Sequence, residues 1–321
     1  MGKLPDSAHV DQIAVFLFGK FSVQLSGQPY KDLESCKAQE LFGYLLLHRD
    51  QPQSRESVAS LLWGDTSTAQ SKSYLRKALW RLQSALDPPL KAGILRVEAE
   101  WIELNLAAPL WLDVAIFEHA FGQCQGLDGR TLDAQAVQSL QCAVDLYRGD
   151  LLEGWFQEWC LYERQRFQHM YLVMLDKLIA WCEAQANYEL GILYGTRILR
   201  YDPARERTHR QLMRLYNLAG DRTGALRQYE RCAALLHSEL DVAPARQTVA
   251  LYQQIRADCL PTLTLASVPL PGKRLDIENT PIATYTELLV RFRQTETTLD
   301  EMQQALRRNI EQLEILLDNR R

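Results

Sequence analysis

The sequence has no surplus of positive charge: 36 Lys plus Arg stand against 40 Asp plus Glu, for a formal net charge of -4. Whole-chain electrostatics will not draw such a chain to a polyanion, so any nucleic-acid contact has to come from a local basic patch. Cysteine is sparse and scattered. The seven residues Cys36, Cys124, Cys142, Cys160, Cys182, Cys232 and Cys259 never lie closer than 18 positions apart, which excludes CxxC redox or zinc pairs. An odd, scattered count reads as reduced thiols in a cytoplasmic protein. No apolar run approaches the roughly 18 residues of a membrane span, and the opening MGKLPDSAHVDQ lacks the apolar core of a signal peptide, so neither membrane insertion nor secretion is expected. The six histidines, His9, His48, His119, His169, His209 and His237, form no HExxH or comparable ligand spacing, and there is no GxSxG elbow. Nor is there a GxxxxGK[ST] loop, because Gly272-Lys273 lacks both the upstream glycine and the following hydroxyl residue. Catalysis, a metal site and a cofactor are therefore not expected.

What is present is an ordinary globular balance, 47% apolar and 24% charged over 321 residues, enough for two or three domains with real cores. Residues 13 to 26, IAVFLFGKFSVQLS, read as a hairpin with a Gly-first two-residue turn at Gly19-Lys20. Three helices follow. The first is expected from Ser35, a plausible N-cap, to Leu47, with Leu41, Phe42, Leu45 and Leu46 on one face. The second starts near Ser54, buries Val58, Leu61 and Leu62, and stops at Gly64 in a left-handed conformation. The third runs from about Thr68 to Leu86 and ends because Pro88 disfavours a helical Asp87. Ile94 to Val97 and Trp101 to Leu104 form a second short hairpin.

From Asp113 to about Asp258 the pattern is almost entirely helical. Ala186-Asn187-Tyr188 with Ile192 and Ile198 recurs 34 residues later as Gly220-Asp221-Arg222 with Leu226 and Cys232. That period points to tetratricopeptide-like helix pairs, which bury their apolar faces only by stacking. The aromatic residues Trp155, Trp159, Tyr162 and Tyr171 fall at helical spacings and are explained first by core packing. Residues 259 to 281 hold four prolines and read as a linker. Beyond it, Tyr285, Phe292, Leu299, Leu306 and Leu313 keep seven-residue intervals, which predicts a coiled coil over 282 to 321 of undetermined strand number. The fold class is thus mainly α: an α+β winged helix-turn-helix over residues 1 to 105, a helical repeat domain over 106 to 258, a linker and a coiled coil.

The third helix is the most informative stretch. At about 100° per residue from Leu75, the leucines 75, 79, 82 and 86 cluster within about 40°. Ser73, Lys77 and Ser84 point away from them, with Lys72, Arg76 and Arg81 on the flanks. There are four cations and no acid between Thr68 and Leu86. An apolar face opposite an acid-free basic face, after a shorter helix and before a hairpin, is the layout of a winged helix whose third helix enters the major groove. A solvated helix whose charges serve only solubility is the alternative, and the order of elements decides against it.

The chain resembles a bacterial transcriptional activator of the SARP type. The resemblance is carried by FLFGKFSVQLSGQP at 16 to 29, AQELFGYLLLHRDQPQSRESVASLLWGD at 38 to 65 and SKSYLRKALWRLQSALD at 71 to 87. In the second half it is carried by LDVAIFE at 112 to 118, AVDLYRGDLLEG at 143 to 154 and RTHRQLMRLYNLAGDRTGALRQYERCAALLHSELDVAP at 207 to 244. It implies an OmpR-like winged helix joined to a bacterial transcriptional activator domain. It also implies binding of double-stranded DNA at repeated promoter elements, self-association through the repeat domain or the coiled coil, and contact with RNA polymerase. Lys72, Ser73, Arg76 and Lys77 are the candidates for base edges and flanking phosphates, with Arg81 on a phosphate. Lys37, Ser54 and Arg55 lie near helix starts, where free N–H groups favour phosphate, although Ser54 also reads as a cap and the two cations as solvated surface.

The wing turn Glu98-Ala99-Glu100 departs from the family, being acidic and without glycine, and Arg96 is the only cation on that hairpin. The acidity and the terminal heptads keep open a rival reading, a protein-interaction scaffold whose winged helix does not bind DNA.

Overall fold

The computed structural model describes residues 13–258 apart from residues 34, 91 and 92; the linker and coiled coil expected over 259 to 321 lie outside the described residues. The first strand, β1 (Ile13–Phe16), is apolar on both sides, and Ile13, Ala14 and Val15 are all buried. That suits a central strand. It pairs antiparallel with β2 (Ser22–Leu25), which continues into β3 (Gln28–Pro29). On its other edge it runs parallel to a strand from far along the chain, Leu110–Leu112, with Ala14 opposite Trp111.

The tight turn expected at Gly19-Lys20 is not formed, since the ladder closes at Phe16 opposite Ser22 and leaves Leu17 to Phe21 outside it. Long-range bonds outcompete the local turn. Leu17 and Phe18 donate their N–H groups to the Asp113 carboxylate at 2.9 Å each, and Gly19 N–H donates to the Asp150 carbonyl at 2.9 Å. Leu152 N–H in turn donates to the Leu17 carbonyl at 2.8 Å, and Phe18 bridges to Leu151. Gly19 still carries a left-handed φ of 83°, which lets the chain reverse once it leaves Asp150.

Helices α1 (Cys36–Leu47), α2 (Arg55–Trp63) and α3 (Thr68–Leu90) pack around Leu41, Leu45, Val58, Leu75, Leu79 and Leu82. Two helix ends differ from the sequence expectation. Gly64 is right-handed, φ -60°, because Thr66 caps the helix instead, giving both its N–H (3.1 Å) and its hydroxyl (2.9 Å) to the Trp63 carbonyl. Helix α3 runs on through Asp87 and Pro88 to Leu90. The Tyr30 hydroxyl donates to the Ala85 carbonyl at 2.5 Å, which satisfies the group that Pro89, having no N–H, leaves open. A second sheet packs beside these helices in the order β4 (Gln53–Ser54), β6 (Trp101–Leu104), β5 (Leu95–Val97). The strand Leu110–Leu112 is then β7.

The second half is helical: α4 (Asp113–Cys124), a 3-10 turn at Gly129–Thr131, α5 (Ala134–Leu146), α6 (Glu158–Ala184), α7 (Tyr188–Tyr201), α8 (Glu206–Leu218), α9 (Arg222–Leu240) and α10 (Arg246–Arg256). The 34-residue period is visible in the backbone. Ala186 and Gly220 are both left-handed, and the N–H groups of Asn187 and Asp221 each donate back five residues, to Cys182 and Tyr216, at 2.8 Å. Those bonds end α6 and α8 alike and turn the chain into the second helix of each pair. Among the described residues no helix is long and apolar enough to cross a membrane.

One hydrophobic cluster runs from Ile13 and Leu45 through Leu82 and Phe117 to Phe167 and Ile198, so the core crosses the expected division at 105/106. A small second cluster, Met213, Ala225, Leu251 and Ile255, closes the far end, where Tyr229 stacks on Tyr252.

Asp113 sits at the junction, 1% exposed, and burial raises its carboxyl from the ordinary 3.8 to about 6 even though backbone N–H bonds from Phe18, Leu17 and Val114 and the charge of Arg148 pull it down. Because the folded-state value is the higher, this group's stabilising contribution is complete below about pH 4 and falls by about 3 kcal/mol as the pH rises through 6. The stability gap between wild type and Asp113→Asn, from denaturant titrations, is expected to narrow by about that amount between pH 4 and pH 7. A pH-independent gap would rule the buried-carboxyl account out.

Helix pairs approach closely where α7 carries Gly195, whose added Cβ would lie 2.6 Å from Leu212 Cδ2 on α8. Gly195→Ala should therefore lower Tm, by the equivalent of about 1–3 kcal/mol of overpacking, despite alanine's better helix propensity. A raised Tm would show that α8 yields.

Candidate nucleic-acid interface

Helix α3 presents its cations through the burial of its leucines: Leu75, Leu79, Leu82 and Leu86 are all below 4% exposed, which fixes the opposite face toward solvent. Arg76 and Lys77 project from that face, and among the described residues neither has a hydrogen bond or ion pair. Ser73 lies beside them, half-buried. Lys72 is exposed but paired with Glu56 of α2 at 3.0 Å.

The start of α2 and the wing turn complete the surface. The Ser54 hydroxyl caps α2, accepting the Ser57 N–H at 3.4 Å. Arg55 gives its N–H to the Glu100 carbonyl and its guanidinium to the Glu98 carbonyl, both at 2.9 Å, and so clamps the acidic turn to the head of α2. Ser54, Arg55, Glu56, Lys72 and Arg76 line one open groove of about 630 Å³ with Ala99, Glu100 and Trp101.

Three further sequence candidates hold partners of their own. Lys37 is exposed but engaged: its ammonium donates to the Leu62 carbonyl at 3.0 Å, pairs with Glu40 at 2.7 Å and lies 5.7 Å from the Trp63 ring centre. It ties α1 to the end of α2. Arg81 donates to the Ser35 hydroxyl at 3.2 Å, so Ser35 occupies the N-cap position of α1 without capping it by its side chain. Arg96 stands 4.0 Å from Glu103 and lines a different groove, with Gln51, Pro52, Glu98, Trp101 and Glu103.

Two tryptophans of this surface were missed from sequence. Trp80 is 68% exposed on α3 and Trp101 is 47% exposed on the wing. The helical arithmetic that singled out Ser73 and Lys77 also places Trp80, roughly 140° from Leu75, on the solvent face. Trp101 gives no such signal, because a strand residue's side is set by pairing partners.

A further groove lies on the repeats, where Arg200 and Arg231 flank Leu199, Leu212, Tyr216 and Leu235. Beneath it His209 is 1% exposed; its Nδ1 accepts from the Gln228 amide at 2.7 Å, and its Nε2 donates to the Pro203 carbonyl at 2.8 Å. Both nitrogens are used as a neutral ring uses them. Burial pushes the thiols of Cys160, Cys182 and Cys232 up to about 11, so none is a thiolate nucleophile at neutral pH. Among the described residues no group of three or more His, Cys, Asp or Glu is placed to hold a metal ion.

Comparison with known proteins agrees with this architecture. Residues 112–256 match the family model described as the bacterial transcriptional activator domain. The fold is similar to that of Mycobacterium tuberculosis EmbR, solved in complex with a low-affinity phosphopeptide, with a TM-score of 0.56 and 19% identity. The match covers 77% of this chain and 65% of that one, so the chain spans less than two thirds of the length of the protein it matches. No curated protein matches the chain. The domain match bears out the bacterial transcriptional activator domain that the resemblance implied, and the shared fold agrees with the mainly helical architecture.

Lys37 and Lys77 should separate by role. Lys37→Ala removes a bond between helices and is expected to lower Tm by about 2–4 °C, the size of a lost interaction near 1 kcal/mol, whereas Lys77→Ala has nothing to lose in the fold. Equal shifts in thermal melts would contradict these placements.

Proposed function

We propose that this chain, which carries a bacterial transcriptional activator domain behind a winged helix, is a sequence-specific transcription regulator that reads double-stranded DNA with the exposed face of α3. The observation that carries the reading is the acid-free face on which Arg76 and Lys77 stand without partners, beside the groove between α2 and the wing. Free guanidinium and ammonium groups suit guanine O6 and N7 and flanking phosphates. Ser73 adds a hydroxyl to the same face. Lys72 and the head of α2, with Ser54 and Arg55, flank it as phosphate contacts, and Lys72 exchanges Glu56 for phosphate when DNA arrives. Arg81 reaches a phosphate by releasing Ser35. Lys37 and Arg96 have no part in the contact, because Lys37 is tied to the end of α2 and Arg96 lines another groove.

So small a basic face on an acidic chain gives weak contact per subunit. Repeated promoter elements bound by an oligomer, through the repeats or the terminal heptads, raise the effective affinity. Activation follows when the repeat domain contacts RNA polymerase, and the Arg200 and Arg231 groove is the surface best suited to such a partner.

Selection of binding sites from a random DNA library with the full chain, followed by titration at several salt concentrations, tests the reading. Each phosphate neutralised contributes about -0.9 to the slope of log K against log salt. Arg76→Ala with Lys77→Ala is expected to weaken specific binding at least about tenfold and to flatten the slope, with helicity unchanged. Failure to enrich any sequence would favour the scaffold reading.

A further inference from the structure

Trp80 is the most exposed of the large apolar residues of α3, 68% exposed against 39% for Tyr74, while Leu79 and Leu82 near it are buried. At about 100° per residue it points roughly 140° from Leu75, between Arg76 at roughly 100° and Lys77 at roughly 200°. The indole therefore occupies the middle of the acid-free face and not its edge. It lies four residues beyond Arg76, about 6 Å further along the helix. Beside it, Arg81 and Ser35 are joined at 3.2 Å, and Lys31 lines the same shallow groove, whose one acid is Asp32.

A ring of this size in water is unfavourable, and whatever covers it has to accept two flanking cations at the same time. The major groove of DNA does so. Its phosphates attract the cations, and the apolar group that its base edges offer is the C5-methyl of thymine. A protein partner would have to bring acid to match Arg76 and Lys77, and would compete with DNA for them. We propose that Trp80 is a specificity residue that packs on a thymine methyl within about two base pairs of the guanine contacted by Arg76. This rests on the DNA-reading role proposed above and deepens it, by stating which base the helix selects beyond its charged contacts.

The test uses the full chain and an operator obtained by library selection, with each thymine replaced singly by deoxyuridine, which removes the methyl and leaves the hydrogen-bonding edge intact. Near the guanine whose replacement no longer matters in Arg76→Ala, one or two substitutions are expected to weaken wild-type binding about fourfold, the effect of losing one buried methyl group. Trp80→Ala should bind the thymine and deoxyuridine operators equally. Trp80→Phe, which keeps an apolar ring, should retain part of the discrimination, and unchanged circular dichroism will show that both variants fold. The inference is overturned if wild type ignores every such replacement, if Trp80→Ala keeps the sensitivity, or if no thymine lies within that distance. It is also overturned if Trp80→Ala binds DNA normally but loses activation, which would give the indole to a protein partner. A library that yields no operator overturns the DNA reading itself, and that outcome is distinct from an operator read without its methyl groups.

Discussion

The Asp113 carboxylate accepts the backbone N–H groups of Leu17, Phe18 and Val114, and by doing so fixes where the first strand ends and where the first helix of the repeat half begins. Three donors on one buried carboxylate satisfy polar groups that would otherwise be stranded in the core. The rest follows from that junction. With Leu17 and Phe18 turned toward it, Phe18 meets Phe117, Tyr147 and Phe167, three aromatic residues from three parts of the second half. The parallel pairing of β1 with β7 and the continuous core then hold the three N-terminal helices and the repeats as one packed body.

Ion pairing divides the cations of this acidic chain into those that build and those left free. Arg49, in the turn just past α1, and Arg166 of α6 share Glu118 of α4, and Arg166 also pairs with Glu163, so two helices of the second half and the end of α1 meet on a partly buried network. Such a network resists separation because removing one member leaves the others uncompensated in a low-dielectric setting. Lys37, Arg55, Arg81 and Lys72 are likewise engaged. Arg76 and Lys77 are among the cations without a side-chain partner among the described residues, and what sets them apart is their place on α3, where their exposure depends on the leucine stripe anchored behind them.

Much of this was legible from residues alone. The three N-terminal helices, the wing hairpin and the 34-residue period depend on local periodicity and short-range capping, which a linear pattern records directly. The solvent face of α3 was equally legible, because a helix fixes every side chain's direction once one stripe is buried. The same geometry places Trp80 on that face, although an uncharged ring adds nothing to the charge pattern that marks it.

Other features were decided by tertiary structure. The Gly19-Lys20 turn gave way because Asp113 and Asp150, about a hundred residues later or more, offer Leu17, Phe18 and Gly19 better bonds than a hairpin can. Helix α3 runs past Pro88 and Pro89, and a tyrosine hydroxyl from residue 30 takes up the Ala85 carbonyl that Pro89 leaves open. The Lys37 ammonium meets a carbonyl and an indole of α2 and a carboxylate of its own helix, none of which its position in the sequence announces. Sequence by itself determined the three N-terminal helices, the hairpin after them, the helical character of the second half and the charge on the exposed face of α3, since these follow from propensity and period. Which donors meet which acceptors across the chain was settled only by folding, because a hydrogen bond between distant residues leaves no periodic trace in either segment.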